Sequence, residues 1–166
     1  MAERPAIVSC VFYKDPIAAM KWLEAAFGFE TTTLLTDADG NIGHAEMSFL
    51  DAPIGIGGEW DGEWGGATML GGAQMKSPAN LGGAGSQFIR VELPKDLDAH
   101  CERARAAGAR ITAEPEDQFY GARTYRAMDP EGHIWNFSQT VRVVSGEEME
   151  AASGLKIHTS LQGVGS

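Results

Sequence analysis

The fold turns on residues 14–30, KDPIAAMKWLEAAFGFE. Asp15 is placed to accept from the free amides of a first helical turn, and Pro16 suits the first helical position. Met20, Leu23 and Phe27 recur at spacings of three and four, which puts them on one apolar stripe, and Gly28 supplies a left-handed stop. Ahead of this helix, residues 6–13 (AIVSCVFY) form an apolar, β-rich run of strand length. Behind it, residues 30–36 (ETTTLLT) are β-branched, Asp39-Gly40 is a hairpin signal, and residues 42–50 (IGHAEMSFL) alternate in character. Pro53 then introduces a short apolar strand, IGIGG, at 54–58. The unit reads β-α-β-β-β.

The same order returns further along. Residues 87–92 (QFIRVE) predict a strand, DLDAHCERARAAG a helix with Leu97, Cys101 and Ala104 on one face and Gly108 at its end, and ARITAEP, GARTYRAM and HIWNF three more strands. Gly28 and Gly108, Val11 and Val91, and Ile56 and Asn136 are each 80 positions apart, so duplication is the economical explanation. The chain therefore divides into a first module (1–58), a Gly- and Trp-rich connection (59–86), a second module (87–140) and a C-terminal helix and tail (141–166). In the last, Ser145 and Glu148 make a capping box, and the chain beyond Leu155 is expected to fray.

The connection carries Trp60, Trp64, Met69 and Met75. Large apolar side chains left in water are a solubility liability. These residues are expected to pack, either over the core or a subunit interface, or along the border of a ligand.

Composition removes several functions. With 43% hydrophobic and 22% charged residues, the chain of 166 residues is a folded one able to bury a sizeable core. A formal charge of −10 argues against nucleic acid, which is bound through clustered Lys and Arg, and against anionic membrane surfaces. Long-range fields of this sign favour neutral or cationic small molecules. No apolar run approaches the ~20 residues of a membrane span. Cys10 and Cys101 have neither CxxC nor zinc spacing and read as small buried hydrophobes with reduced thiols. MAERPAIVSC lacks the apolar stretch of a signal peptide, so the expected location is cytoplasmic.

Residues 129–137, DPEGHIWNF, hold the histidine that matters most for function. DPEG is a turn signal, and His133 opens the following strand. Side chains alternate along a strand, so His133, Trp135 and Phe137 share one face and Ile134, Asn136 and Ser138 the other. If Asn136 points into a cavity, His133 points away from it and serves the hairpin.

The two β-α-β-β-β copies, their helices ending in "GF" and "GA", and the segment YGARTYRAMDPEGHIWNF resemble the vicinal oxygen chelate superfamily of glyoxalases, bleomycin-resistance proteins and extradiol dioxygenases. The resemblance spans about residues 6–140, and Tyr120-Gly121-x-Arg123-x-Tyr125 leading into Asp129-Pro130-x-Gly132-His133-x-Trp135 places it in the glyoxalase/bleomycin-resistance-like branch. It implies an α+β fold of two tandem βαβββ modules forming an eight-stranded, incompletely closed cup. In enzymes of this family a divalent metal sits in the cup, held from the first and fourth strands of each module. Those positions fall near Val8, Ile56 or Gly57, Gln87 and Asn136. Only two carry oxygen donors, both neutral amides, whereas a catalytic divalent site needs about three His or carboxylate ligands. The expected metal and cofactor content is therefore none.

Other groups are candidates for contact with a ligand. His44, Glu46 and Ser48 share one face of the third strand, where His44 and Glu46 can act as an acid/base pair, ligate one ion at a displaced site, or merely face solvent. Arg123 and Tyr125 either receive an anionic or aromatic group or fasten the hairpin. His100 lies with Glu102, Arg103 and Arg105 on what reads as a solvated helix face, and His158 is in the tail. Neither a Ser-His-Asp arrangement nor a phosphate loop is present.

The leading expectation is a cytoplasmic, glyoxalase-like protein, more a binder than a lyase, that captures a small organic molecule between its modules. Trp60, Trp64 and Tyr125 would stack on the ligand, with Gln87 and Asn136 orienting it. The rival is a metal-dependent lyase, isomerase or dioxygenase built around His44 and Glu46, and a third reading is a non-catalytic structural or regulatory homodimer. Open sheet edges make a homodimer the expected assembly in any of these cases.

Overall fold

The computed structural model describes residues 5–60, 63–64, 67–68 and 74–164. The first module consists of β1 (Cys10–Tyr13), α1 (Pro16–Phe27), β2 (Glu30–Thr36), β3 (Ile42–Phe49) and β4 (Ala52–Gly58). A two-residue pairing of β5 (Glu63–Trp64) with β6 (Ala67–Thr68) follows in the connection. The second module is β7 (Phe88–Glu92), α2 (Leu97–Ala106), β8 (Arg110–Asp117), β9 (Ala122–Met128) and β10 (Ile134–Thr140), and α3 (Gly146–Ser153) closes the ordered elements.

Each module makes one four-stranded sheet, in the orders β1-β4-β3-β2 and β7-β10-β9-β8. The first and last strands of each module pair in parallel, and the remaining neighbours are antiparallel. This is the duplicated βαβββ architecture expected from the sequence, with no closed barrel. The local signals act as chemistry requires. Asp15 Oδ1 accepts from the Ala18 amide at 2.9 Å, Gly28 ends α1 at φ 77°, and Ser145 and Glu148 make the reciprocal capping box of α3.

One offset was misread. Val11 pairs with Ile56 in β4, whereas Val91 pairs with Phe137 in β10. The counterpart of Ile56 is thus Phe137, and that of Asn136 is Gly55. A one-residue difference in position moves a side chain to the opposite face of a sheet, so the correction bears directly on the site.

The apolar core lies on the helix side of both sheets and runs through both modules. Val11 and Tyr13 of β1, Ala45 and Met47 of β3, Ile54 and Ile56 of β4, and Trp135 and Phe137 of β10 belong to it, with Leu23 and Phe27 of α1. Phe27 touches both Trp135 and Phe137, at ring-centroid distances of 5.5 and 4.7 Å. Polar ties cross the same boundary: Trp22 Nε1 donates to the Ala107 carbonyl at 2.7 Å, and Arg103 to the carbonyls of Ala25 and Glu24, each at 2.8 Å. Burying the helices on one side leaves the opposite, concave faces of both sheets for function.

Candidate functional site

Strand alternation decides what reaches the concave faces. In the first sheet these residues are Cys10 and Phe12 of β1, His44 and Glu46 of β3, and Gly55 and Gly57 of β4, all opposite in parity to the core positions just named. All of them except Glu46 line a hollow of about 370 Å³, together with Glu59 and Trp60. That volume is within the range of roughly 300–1,000 Å³ usual for small-molecule sites.

Two polar features mark the hollow. His44 Nε2 lies 3.3 Å from Glu46 Oε1, with the histidine half exposed and the carboxylate largely covered. Trp60 is fixed through its backbone, donating to and accepting from Met75 at 2.8 Å, while its indole Nε1 is buried and has no hydrogen-bond partner among the described residues. A buried donor without an acceptor costs about 1–3 kcal/mol.

Other residues expected near a ligand are placed elsewhere. Arg123 and Tyr125 share the parity of Ala127, which faces the helices. Arg123 is clamped between Asp98 and Asp117, each 2.9 Å away, and these carboxylates push its already high pKa higher. Tyr125 is fully buried, stacks on Phe137 at 4.9 Å and contacts His100 Nδ1 at 2.7 Å, and burial raises its pKa strongly. Of the two readings left open for this pair, the structure supports fastening. Gln87 is exposed and stitches the edges of the two modules, accepting from Ser9 Oγ at 3.3 Å and donating to the Cys10 carbonyl at 3.2 Å. Asn136 is on the concave face of the second sheet and does not line the first-sheet hollow. The side chain of Trp64 falls outside the described residues.

Sequence reasoning missed other placements. His100 is not on a solvated face: its Nε2 donates to the Phe27 carbonyl at 2.8 Å, leaving Nδ1 to accept from Tyr125, and burial lowers its pKa. The signal was available, since position 100 is three residues from Leu97 and four from Ala104 on the buried stripe. Cys10 is exposed in the wall of the hollow, whereas Cys101 is buried and its thiol is pushed up to about 11 by desolvation.

Asp129, read from sequence only as a turn residue, is a buried hub. It accepts from Tyr13 Oη at 2.7 Å, Trp135 Nε1 at 3.1 Å, and the amides of His133 and Glu131 at 3.0 and 3.1 Å. Burial and this neighbouring carboxylate raise the Tyr13 pKa well above its ordinary value. His133 completes the hairpin and binds the Phe12 carbonyl at 2.7 Å.

Comparison with known proteins agrees with this architecture. Residues 6–137 match the Glyoxalase/Bleomycin resistance protein/Dioxygenase superfamily, and the chain belongs to that family. Uncharacterized proteins of Mycobacterium bovis and Mycobacterium tuberculosis are each 30% identical over 149 residues, spanning 89% of this chain and 91% and 82% of theirs. The crystal structure of TioX from Micromonospora sp. ML1 superposes with a TM-score of 0.59 at 28% identity, covering 82% of this chain and 99% of TioX. FosX, a fosfomycin resistance protein of Listeria monocytogenes, shares the fold at a TM-score of 0.54 and 14% identity, over 89% of this chain and 97% of its own.

The divalent metal held by enzymes of this family does not fit the residues present. Ile56 is in the core, and Val8 lies outside β1. At the concave fourth-strand positions, a Cβ on Gly55 would stand 2.5 Å from Cys10 Sγ, and one on Gly57 2.8 Å from the Phe12 ring. The space a coordinating side chain would need is already filled. Gln87 is committed to the strand edge, and the described residues contain no group of three or more His, Cys, Asp or Glu side chains suited to an ion.

Proposed function

We propose that this protein captures a small organic molecule in the concave hollow of its first sheet, without a divalent metal. The observation that carries the reading is a cavity of ligand size walled by Phe12, His44 and Trp60. A ligand with an apolar body would pack on Phe12 and Trp60. The His44–Glu46 pair adds a polar end able to orient a hydroxyl or an amine. The negative charge of the chain favours neutral or cationic ligands in this hollow.

A second reading is favoured by the 3.3 Å contact of His44 with Glu46: an enzyme in which this pair moves a proton. Titration of a panel of planar organic molecules, followed by tryptophan emission, tests the first. The expected result is saturable quenching, absent in Trp60→Phe and weakened about tenfold in His44→Ala, with the ligand recovered unchanged. Emission indifferent to every compound contradicts capture, and chemical conversion lost in His44→Ala replaces it with the second reading. An assembly of two copies through the open sheet edges is compatible with either.

A further inference from the structure

The concave face of the second sheet differs in chemistry from that of the first. Asn136 in β10 is in register with Arg90 of β7 on one side and Arg126 of β9 on the other, so the three form one row across the sheet. Opposite side chains of the antiparallel β9–β10 pair stand about 4.5–5.5 Å apart at Cβ, and β7 lies about 4.8 Å to the other side of β10, so one small ligand can touch all three. Asn136 is only 9% exposed, and its amide has no hydrogen-bond partner among the described residues. Arg126 is exposed and likewise unpaired, in a chain with 23 acidic and 13 basic residues. Arg90 touches Glu92 at 3.3 Å and Ser138 Oγ at 3.2 Å, which steadies it beside the row. The nearly buried Asn136 amide and the Arg126 guanidinium supply donors, with Arg90 held on Glu92 at the end of the row, and an anion is what such donors receive.

The adjoining row is apolar. Ile134 is in register with Phe88 and Met128, and Phe88 and Ile134 are 61% and 38% exposed. Exposed apolar groups beside an unpaired arginine fit a ligand that is apolar at one end and anionic at the other.

We propose that the concave face of the second sheet binds a small organic acid, its carboxylate or phosphate on the Arg90–Asn136–Arg126 row and its apolar body on Phe88, Ile134 and Met128. None of these residues lines the hollow at Trp60, and the inference goes beyond the function proposed above. The chain's net negative charge opposes bare anions, so the apolar strip has to contribute much of the affinity. Aromatic acids are therefore preferred over inorganic ones.

NMR titration of the full chain tests this through the Asn136 side-chain amide and the Arg126 Nε–H. Sodium 2-naphthoate is expected to shift both resonances saturably, at concentrations at least tenfold below those needed with inorganic phosphate. Uncharged 2-naphthol should not reproduce the effect. Arg126→Gln and Asn136→Asp should each weaken naphthoate binding tenfold or more, with circular dichroism unchanged, while Arg142→Gln and Trp60→Phe leave it as in the parent protein. Phosphate binding as tightly as naphthoate, or naphthol acting equally, overturns the assignment. So does binding insensitive to Arg126→Gln, or sedimentation showing that these variants alter only self-association. Loss of naphthoate binding in Trp60→Phe would move the acid to the first hollow, ending this inference and leaving the earlier reading intact.

Discussion

Asp129 shows how far a single carboxylate can determine the join between two modules. Its oxygens accept from a tyrosine on β1, a tryptophan on β10 and two amides of its own turn. Removing it strands two buried side-chain donors, each costing about 1–3 kcal/mol when left unpaired. Asp129→Ala is expected to lower unfolding free energy by about 3–5 kcal/mol in urea titrations. A loss below about 1 kcal/mol would mean that water replaces the network. The sequence showed Asp129 only as the opening residue of a turn, because its partner Tyr13 is 116 positions away, although Trp135 is only six. His100 was hidden differently. Its helical position was legible, but its neighbours Glu102, Arg103 and Arg105 suggested a charged face, and only the packing of α2 against Phe27 and Tyr125 reveals that it is covered.

At the scale of elements, α1 and α3 were legible nearly to their ends because capping residue and terminating glycine agreed, whereas Asp96 makes no capping bond to α2 and only its apolar period marked it. The β1 ladder proved shorter than its apolar run, starting at Cys10, although the Ser9 carbonyl still accepts from Gly55 at 2.9 Å. Face assignment in β4 was not legible from the constant spacing of 80, because the fourth strands of the two modules are offset by one further residue. Once that register is known, Gly55 and Gly57 cease to be gaps in a metal site and become the floor on which Cys10 and Phe12 rest. Gly57→Ala is expected to force the Phe12 ring into the hollow. Probe affinity measured by tryptophan emission should drop about tenfold, at a stability cost of roughly 1–3 kcal/mol, as for other overpacked sites. Unchanged affinity in a folded variant would show that the hollow at Phe12 is not where ligands sit.

For the whole molecule, duplication set the architecture and the resemblance pointed to the family, yet neither located the site. Among the described residues the hollow is lined by the first sheet and the start of the connection, while the expected stacking and anchoring residues Tyr125, Arg123 and Gln87 hold the fold together. Such a division depends on which strand face looks toward the helices, a property of the assembled sheet and not of any one segment. Among the described residues no helix is long and apolar enough to cross a membrane. The central claim is that ligand capture here proceeds without an ion. Calorimetric titration of a ligand from the panel, run on protein stripped with a strong chelator and again after adding Zn, Ni, Mn or Fe, tests it most directly. Equal affinity and stoichiometry in both states are predicted, and binding that disappears on chelation and returns with one of these metals would contradict the account.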